Sequence, residues 1–177
     1  AMLARSLLSG EKLDWAMSSV LFLPESAGFA SLDAALPLGV NGLFAVSGAL
    51  NLLALYGAIR LVAGRSRPGS APVAWSIIAL AAFGALAMTE TSASRDALEL
   101  ASLQLTTTYY SATVVAVILA VGIMRRMLDR RARGVGLAVA LGVVALVSTL
   151  TNPLFAVWAT VPLMLVLSVT ALLDAGR

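Results

Sequence analysis

Five apolar stretches, each about as long as a membrane is thick, constrain this chain more than any other feature. A helix needs about 20 apolar residues to cross roughly 30 Å of hydrocarbon, and about 17–25 are tolerated. The predicted spans are residues 38–62, 72–88, 99–124, 134–150 and 153–173. Hydrophobic residues make up 60% of the 177 residues and charged residues 12%, unlike the composition of soluble domains. The sequence therefore predicts an all-α integral membrane protein, a compact bundle of five transmembrane helices.

A short turn is predicted between the fourth and fifth stretches. A continuous helix over residues 134–173 would be about 60 Å long, roughly twice the thickness of the hydrocarbon. Thr151, Asn152 and Pro153 supply the only turn signal in this range. Asn152 is predicted to cap the turn and Pro153 to open the new helix. The chain is therefore expected to fold back at these three residues.

Residues 1–36 are expected to form a separate segment ahead of the bundle, which occupies residues 37–177. The apolar run Leu13–Leu23 has only eleven residues before Pro24, too few to cross a membrane. Trp15 suits a position at the membrane interface. We therefore expect an interfacial or re-entrant N-terminal segment, and a sixth span within it stays open as the alternative.

Charged residues are sorted between the two sides of the predicted bundle. Nine of the 12 basic residues fall on one side: Arg60, Arg65, Arg67, Arg125, Arg126, Arg130, Arg131, Arg133 and Arg177. The other side holds most of the acids: Glu11, Asp14, Glu25, Asp33, Glu90, Asp96 and Glu99. Short loops rich in Lys and Arg stay in the cytoplasm. Five spans therefore place the C-terminus in the cytoplasm and the N-terminus outside.

Composition also bears on the source and the partners of the chain. Arginine supplies all but one of the basic residues, and Ala, Leu and Val are abundant, as is typical of a GC-rich bacterial genome. The expected location is the inner membrane of a bacterium, or the endoplasmic reticulum if the source is eukaryotic. The net charge of +3 comes from arginines at helix ends. They are interpreted as topology signals that contact anionic lipid heads rather than nucleic acid.

The absence of cysteine and histidine from the sequence removes several kinds of chemistry. Disulfides, thiol catalysis, haem ligation through His and most zinc or copper sites are excluded. Glu90, Asp96 and Glu99 are clustered acids, but no nucleophile or base completes them, so they are interpreted as solvated loop charges. We therefore expect no catalytic residues, no metal and no cofactor, in a protein that is not an enzyme.

Polar residues follow one face of the third stretch. At about 100° per residue, one side of this helix carries four of them: Gln104, Thr107, Thr108 and Ser111. A polar stripe inside a membrane faces protein or a cavity. Two interpretations stay open, a ligand-binding role and hydrogen bonding between helices. Ser47 and Asn51, one turn apart on the first stretch, form a second candidate face.

Two functions are compatible with such a stripe. If it binds a lipid head group, Trp75 and Phe83 on the second stretch are expected to hold the lipid tail. If it lines a permeation path instead, the chain is a small transporter or channel subunit. A pocket closed at one end favours binding, whereas a continuous polar path favours transport.

Small residues recur at four-residue spacing, as in Ala112, Ala116 and Ala120 on the third stretch and Ala138 and Gly142 on the fourth. This spacing lets helix backbones approach closely. Packing within one bundle of short helices is the favoured interpretation. A homo-oligomer interface is the alternative, and a second copy of the chain is retained among the expected partners.

The junction of the third and fourth stretches carries the most specific motif. It reads Asp129-Arg130-Arg131-Ala132-Arg133-Gly134-Val135-Gly136-Leu137-Ala138-Val139. This run resembles the Asp-Arg-x-x-x-Gly-Phe-Gly-Leu-Gly-Val stretch of the Insig (insulin-induced gene) proteins. Further motifs are similar to those of the same family: Trp75-Ser76, Ser92-Ala93 and Gln104-Leu105-Thr106. The similarity extends in register over about residues 37–150.

The resemblance implies a polytopic membrane protein that binds a sterol-like lipid within the membrane, regulates a membrane-protein partner and is not an enzyme. It further implies a partner-binding or loop-structuring role for Asp129 and Arg130, and a pocket role for Gln104. The expected function is the binding of an oxysterol-like or diacylglycerol-like lipid in an intramembrane cavity.

Overall fold

Helices make up the regular structure of this chain. The computed structural model describes residues 9–10, 23–65, 68–89, 110–130 and 135–176, and no strand occurs among them. The helices are, in chain order, α1 (Leu23–Ala35), α2 (Val40–Ala63), α3 (Pro72–Thr89), α4 (Ser111–Arg130), α5 (Val135–Thr151) and α6 (Val161–Ala175). A π-helical turn at Ala156–Thr160 leads directly into α6.

Four of the described helices are long and apolar enough to cross a membrane. They are α2, α3, α4 over Ser111–Asp129, and the continuous helix Ala156–Ala175 that contains α6. α5 is apolar but has 17 residues, about 26 Å at roughly 1.5 Å per residue. The predicted all-α membrane bundle is confirmed. The bounds of α2, α3 and α5 lie within two residues of the predicted spans.

The outer surface of the bundle is apolar. Large side chains such as Leu53, Leu146 and Leu165 are more than half exposed. Soluble monomers rarely expose contiguous apolar patches of more than a few hundred Å². In a bilayer the same side chains contact lipid tails. The chain is therefore an integral membrane protein.

α4 differs from its predicted span at both ends. It begins at Ser111, and residues 99–109 of the predicted span lie outside the described residues. At the other end α4 continues to Arg130, whereas the predicted span ends at residue 124. Arg125 Nε and Asp129 Oδ2, one turn apart, are 3.7 Å from each other, and both side chains are half exposed. The apolar span ends near residue 124, but the helix continues because charged side chains at its surface can reach water.

The N-terminal segment contains a helix that the sequence pattern does not predict. α1 has 13 residues and begins at Leu23, so Pro24 lies in its first turn instead of ending an apolar run. Proline is tolerated there because the first N–H groups of a helix have no partner within the helix. α1 packs against α2 and α4, and the rings of Phe29 and Phe44 lie 5.4 Å apart. The predicted interfacial helix before Pro24 lies outside the described residues.

The centre of the bundle is the packing of α2 against α4. Leu61 of α2 lies so close to Gly122 of α4 that a β-carbon at Gly122 would be 2.8 Å from Cδ2 of Leu61 and 2.9 Å from its Cγ. Side-chain atoms do not pack at such distances, so this contact requires glycine. Leu55 and Ala58 on α2 and Ile123 on α4 are also buried.

Two arginine side chains close the C-terminal end of α2. Arg60 donates from Nη1 to the carbonyl oxygen of Gly64 at 2.6 Å, and Arg125 of α4 donates from Nη1 to the carbonyl oxygen of Val62. The last carbonyls of a helix lack partners within it and carry partial negative charge, which a guanidinium group stabilises. These contacts place the C-termini of α2 and α4 together. We refer to this end of the bundle, marked by Arg60 and Arg125, as the basic end.

Asn152 holds the turn between α5 and the last helix, as predicted. Its Oδ1 accepts a hydrogen bond from the N–H of Leu154 at 3.1 Å, so the predicted cap is confirmed. Its Nδ2 donates to Oγ1 of Thr113 on α4 at 2.9 Å, and the side chain is buried. Phe155 packs with Ala120 of α4 in a buried cluster. The turn is therefore tied to the first half of α4, at the end of the bundle opposite the basic end.

Candidate functional site

A cavity of about 450 Å³ lies between α1, the N-terminal half of α2 and the start of α4. It is in the size range of small-molecule pockets, roughly 300–1,000 Å³. Its apolar wall is formed by side chains such as Leu32 and Leu50. Its polar side chains come from all three helices: Glu25, Ser31, Ser47, Asn51 and Ser111. The fold therefore brings polar groups that are far apart in the sequence to one cavity.

Glu25 is the acidic group of this cavity. It lies in the first turn of α1, is 9% exposed, and its Oε1 accepts a hydrogen bond from the backbone N–H of Ala112 at 3.2 Å. That N–H belongs to the first turn of α4, where unpaired N–H groups and the helix dipole favour a negative charge. Burial raises the pKa of the Glu25 carboxyl, and hydrogen bonds from its own N–H and that of Ala112 oppose the rise.

The effect of the Glu25 carboxyl on stability can be measured through its dependence on pH. The folded protein keeps the Glu25 proton to a higher pH than the unfolded chain, so the free energy of unfolding falls as the pH rises from the ordinary pKa of 4.5 through the raised value. We expect the melting temperature of the wild type to fall over this window relative to that of Glu25→Gln. Above the raised pKa, the difference in melting temperature between the wild type and Glu25→Gln should stay constant. Thermal unfolding in detergent at a series of pH values measures it, and a wild type that loses stability relative to Glu25→Gln toward acid pH would contradict the raised pKa.

Two serine residues predicted from the sequence line the cavity. Ser47 of α2 is 6% exposed and Ser111 of α4 is 1% exposed. Neither hydroxyl has a hydrogen-bond partner among the described residues, although both line the cavity. Asn51, predicted to share a face with Ser47, lines the cavity one turn further along α2. Buried polar groups without protein partners are usually satisfied by water or a ligand.

Part of the predicted polar stripe lies outside the described residues. Gln104, Thr107 and Thr108 precede α4 in the sequence, and their part in the cavity stays a prediction. Glu25 and Ser31 are polar cavity residues that the sequence did not predict, and Glu25 was grouped with the acids on the outer side of the bundle. A signal was present, because Glu25 is a lone acid within an apolar stretch, and acids in such surroundings are often functional.

The two aromatic residues predicted to hold a lipid tail lie elsewhere. Phe83 lines a second, apolar cavity of about 520 Å³ between α2 and α3, together with Leu52 and Met88. Trp75 is 65% exposed and lines neither of these two cavities. The neighbouring Ser76 is completely buried, so the ring of Trp75, about 100° further round α3, points outward. Neither side chain lines the cavity around Ser47 and Ser111, and the prediction that the two rings hold the tail of a lipid bound at the polar stripe stays a prediction.

The residues predicted to bind a partner lie at the basic end, far from the cavity. Asp129 pairs with Arg125, which also donates to the carbonyl oxygen of Val62 at the end of α2. The Asp129 side chain is 52% exposed, so a second molecule can reach it. Arg130 is the last residue of α4, and its side chain lies outside the described part of the chain.

The buried side chains of α2 and α4 change from polar to apolar between the cavity and the basic end. From Leu52 to Ala63 on α2 and from Val114 to Asp129 on α4, the buried side chains of the described residues are apolar: Leu55, Ala58, Ala120, Ile123 and Met124. The close contact between Leu61 and Gly122 lies on this side as well. The site is therefore a pocket lined by both polar and apolar side chains, next to a packed apolar interior, and it suits an amphiphilic molecule.

No family model, curated protein or solved structure matches this chain. The resemblance to the Insig family therefore rests on the sequence motifs, and membership of that family stays a prediction.

Proposed function

We propose that this chain is a non-enzymatic membrane protein that binds one lipid, oxysterol-like or diacylglycerol-like, in the cavity between α1, α2 and α4. The buried hydroxyls of Ser47 and Ser111 carry the proposal, because they line the cavity without a hydrogen-bond partner among the described residues. A buried polar group left unpaired costs about 1–3 kcal/mol. A lipid hydroxyl between the two serines would offset that cost for both.

The packing below the cavity supports binding over transport. A transported solute needs polar groups along its path, whereas the interior of α2 and α4 beyond Asn51 is apolar among the described residues. Leu61 fills the space beside Gly122. A transporter or channel subunit is therefore the weaker candidate.

The proposed orientation follows from the positions of the arginines. Arg60, Arg65, Arg125 and Arg126 lie at or beside the C-terminal ends of α2 and α4, and loops rich in arginine stay in the cytoplasm. The basic end is then cytoplasmic, and the cavity opens in the outer half of a bacterial inner membrane. α6 returns from the Asn152 turn toward the basic end, so the proposed orientation has the C-terminus in the cytoplasm.

α4 connects the proposed lipid site to a proposed partner surface. Ser111 at its start lines the cavity, and Asp129 near its end is half exposed at the basic end. This arrangement supports a lipid-responsive regulator similar to the Insig proteins, in which a membrane-protein partner or a second copy of the chain contacts Asp129 and Arg130.

Removing the two cavity hydroxyls tests the proposal. We expect the double variant Ser47→Ala, Ser111→Ala to bind a photo-crosslinkable diacylglycerol or oxysterol about ten- to a hundredfold more weakly, because each lost hydrogen bond costs about 1–3 kcal/mol, partly offset by repacking. Ser76→Ala is the matched control. Ser76 is also a buried serine, but its hydroxyl donates to the Pro72 carbonyl of its own helix at 2.7 Å.

Native mass spectrometry of the purified protein identifies the lipid that remains bound. Loss of this lipid in the double variant but not in Ser76→Ala would support the site. Equal binding by wild type and double variant would show that the two hydroxyls only pack helices, and the cavity would lose its proposed role.

A further inference from the structure

The carboxylate of Glu25 occupies a position that would otherwise attract a phosphate. The first N–H groups of a helix bind anions, because they lack partners and stand at the positive end of the helix dipole. At the start of α4 this place is taken by Glu25, whose Oε1 accepts the N–H of Ala112 at 3.2 Å. An acidic side chain from α1 thus supplies the anion within the protein.

Glu25 also retains capacity to accept hydrogen bonds from a ligand. Backbone N–H groups of Glu25 itself and of Ala112 bond to its side chain, whereas a carboxylate offers about four lone-pair sites. Glu25 lines the same cavity as Ser47 and Ser111. A lipid hydroxyl can donate to the carboxylate and accept from a serine without bringing a charge, while a phosphate group brings a negative charge next to the carboxylate.

We propose that Glu25 is the specificity-determining residue of this cavity, accepting a hydrogen bond from the hydroxyl of an uncharged lipid and excluding lipids with a phosphate head group. The proposal rests on the lipid-binding function proposed above and names the class of lipid that the cavity takes. Two negative charges a few ångströms apart repel strongly where little water screens them. Charge therefore discriminates between lipids whose tails are identical.

Dioleoylglycerol and dioleoyl phosphatidic acid are suitable probes, because they differ by the phosphate alone. Each is titrated against the full-length protein in a neutral detergent at neutral pH, with bound lipid counted by native mass spectrometry. We expect the wild type to prefer the diacylglycerol by about tenfold or more. In Glu25→Gln the preference should fall to about threefold or less, mainly through tighter binding of phosphatidic acid, because the neutral amide does not repel the phosphate.

Asp33→Asn is the matched control for net charge. Asp33 lies on the same helix but not among the residues around the cavity, so its variant should keep the wild-type preference. Equal binding of both lipids by the wild type would overturn the role of Glu25 while leaving lipid binding intact. The role of Glu25 would also be overturned if Glu25→Gln kept the wild-type preference for the diacylglycerol and melted near the temperature of the wild type. Binding of neither lipid by the wild type would overturn the lipid site itself and this inference with it.

Discussion

Replacing Gly122 with leucine is expected to lower the melting temperature of the protein strongly, whereas Gly142→Leu should leave it nearly unchanged. A β-carbon at Gly122 would meet Cδ2 and Cγ of Leu61 below 3 Å, while one at Gly142 would have no atom within 4 Å. Rotation of the Leu61 side chain does not relieve the crowding, because its Cβ, which no rotation moves, would also be 3.1 Å from the added β-carbon. α2 and α4 must therefore move apart. Overpacking of this kind costs about 1–3 kcal/mol or more, and thermal unfolding in detergent measures it.

Alanine variants at the same two glycines separate crowding from helix propensity. Alanine is favoured over glycine inside a helix by about 0.5–1 kcal/mol, so Gly142→Ala should be neutral or stabilising. Gly122→Ala should be destabilising despite the same gain. Adding Leu61→Ala to Gly122→Ala should restore part of the loss, because the second change removes the crowded atoms. If Gly122→Leu melted at the same temperature as Gly142→Leu, the close contact of α2 and α4 would be wrong.

Much of the fold follows from local properties of the sequence. Apolar length places α2, α3 and α5 within two residues, because a membrane imposes a minimum length on any helix that crosses it. Asn152 and Pro153 mark the turn before the last helix through their own backbone chemistry. Outside the hydrocarbon, the thickness of the membrane does not determine where a helix ends. α4 therefore continues to Arg130, beyond the predicted end of the span.

The start of α1 depends on tertiary contacts, which the sequence pattern does not contain. Pro24 predicts an interruption when the residues before it are assumed to be helical, but the same proline suits a helix that begins there. The sequence alone does not distinguish the two cases. Tertiary contacts decide, since Phe29 is buried against Leu43 and Glu25 bonds to the start of α4.

Some residues of the candidate site follow from the sequence pattern, whereas others depend on how the helices pack. Helical periodicity selects Ser47 with Asn51, and it selects Ser111 within the third stretch, because residues on one face are fixed by the rise and turn of a helix. Periodicity does not tell which helices are neighbours. That Ser47, Ser111 and Glu25 line one cavity depends on the packing of α1, α2 and α4. For the same reason the sequence did not indicate that Trp75 faces outward.

Asn152→Leu is expected to destabilise the protein by about 2–4 kcal/mol, since it removes two hydrogen bonds made by one buried side chain. The larger part of the cost is the N–H of Leu154, which loses its capping partner in a partly buried turn. The bond to Thr113 contributes less, because hydrogen bonds between membrane helices average about 0.6 kcal/mol and reach about 1.7. Equilibrium unfolding in mixed micelles measures the loss.

Thr113→Val distinguishes the two contributions, because it removes the bond between α4 and the turn while Asn152 still caps Leu154. We expect a loss of about 0.6 kcal/mol, at most about 1.7. Thr170→Val is the control, since the Thr170 hydroxyl bonds only to the Leu167 carbonyl of its own helix among the described residues, and its effect should be near zero. In a double-mutant cycle, Asn152→Leu and Thr113→Val should be less than additive by the worth of the bond they share. Full additivity would mean that Asn152 stabilises the turn alone and does not tie it to α4.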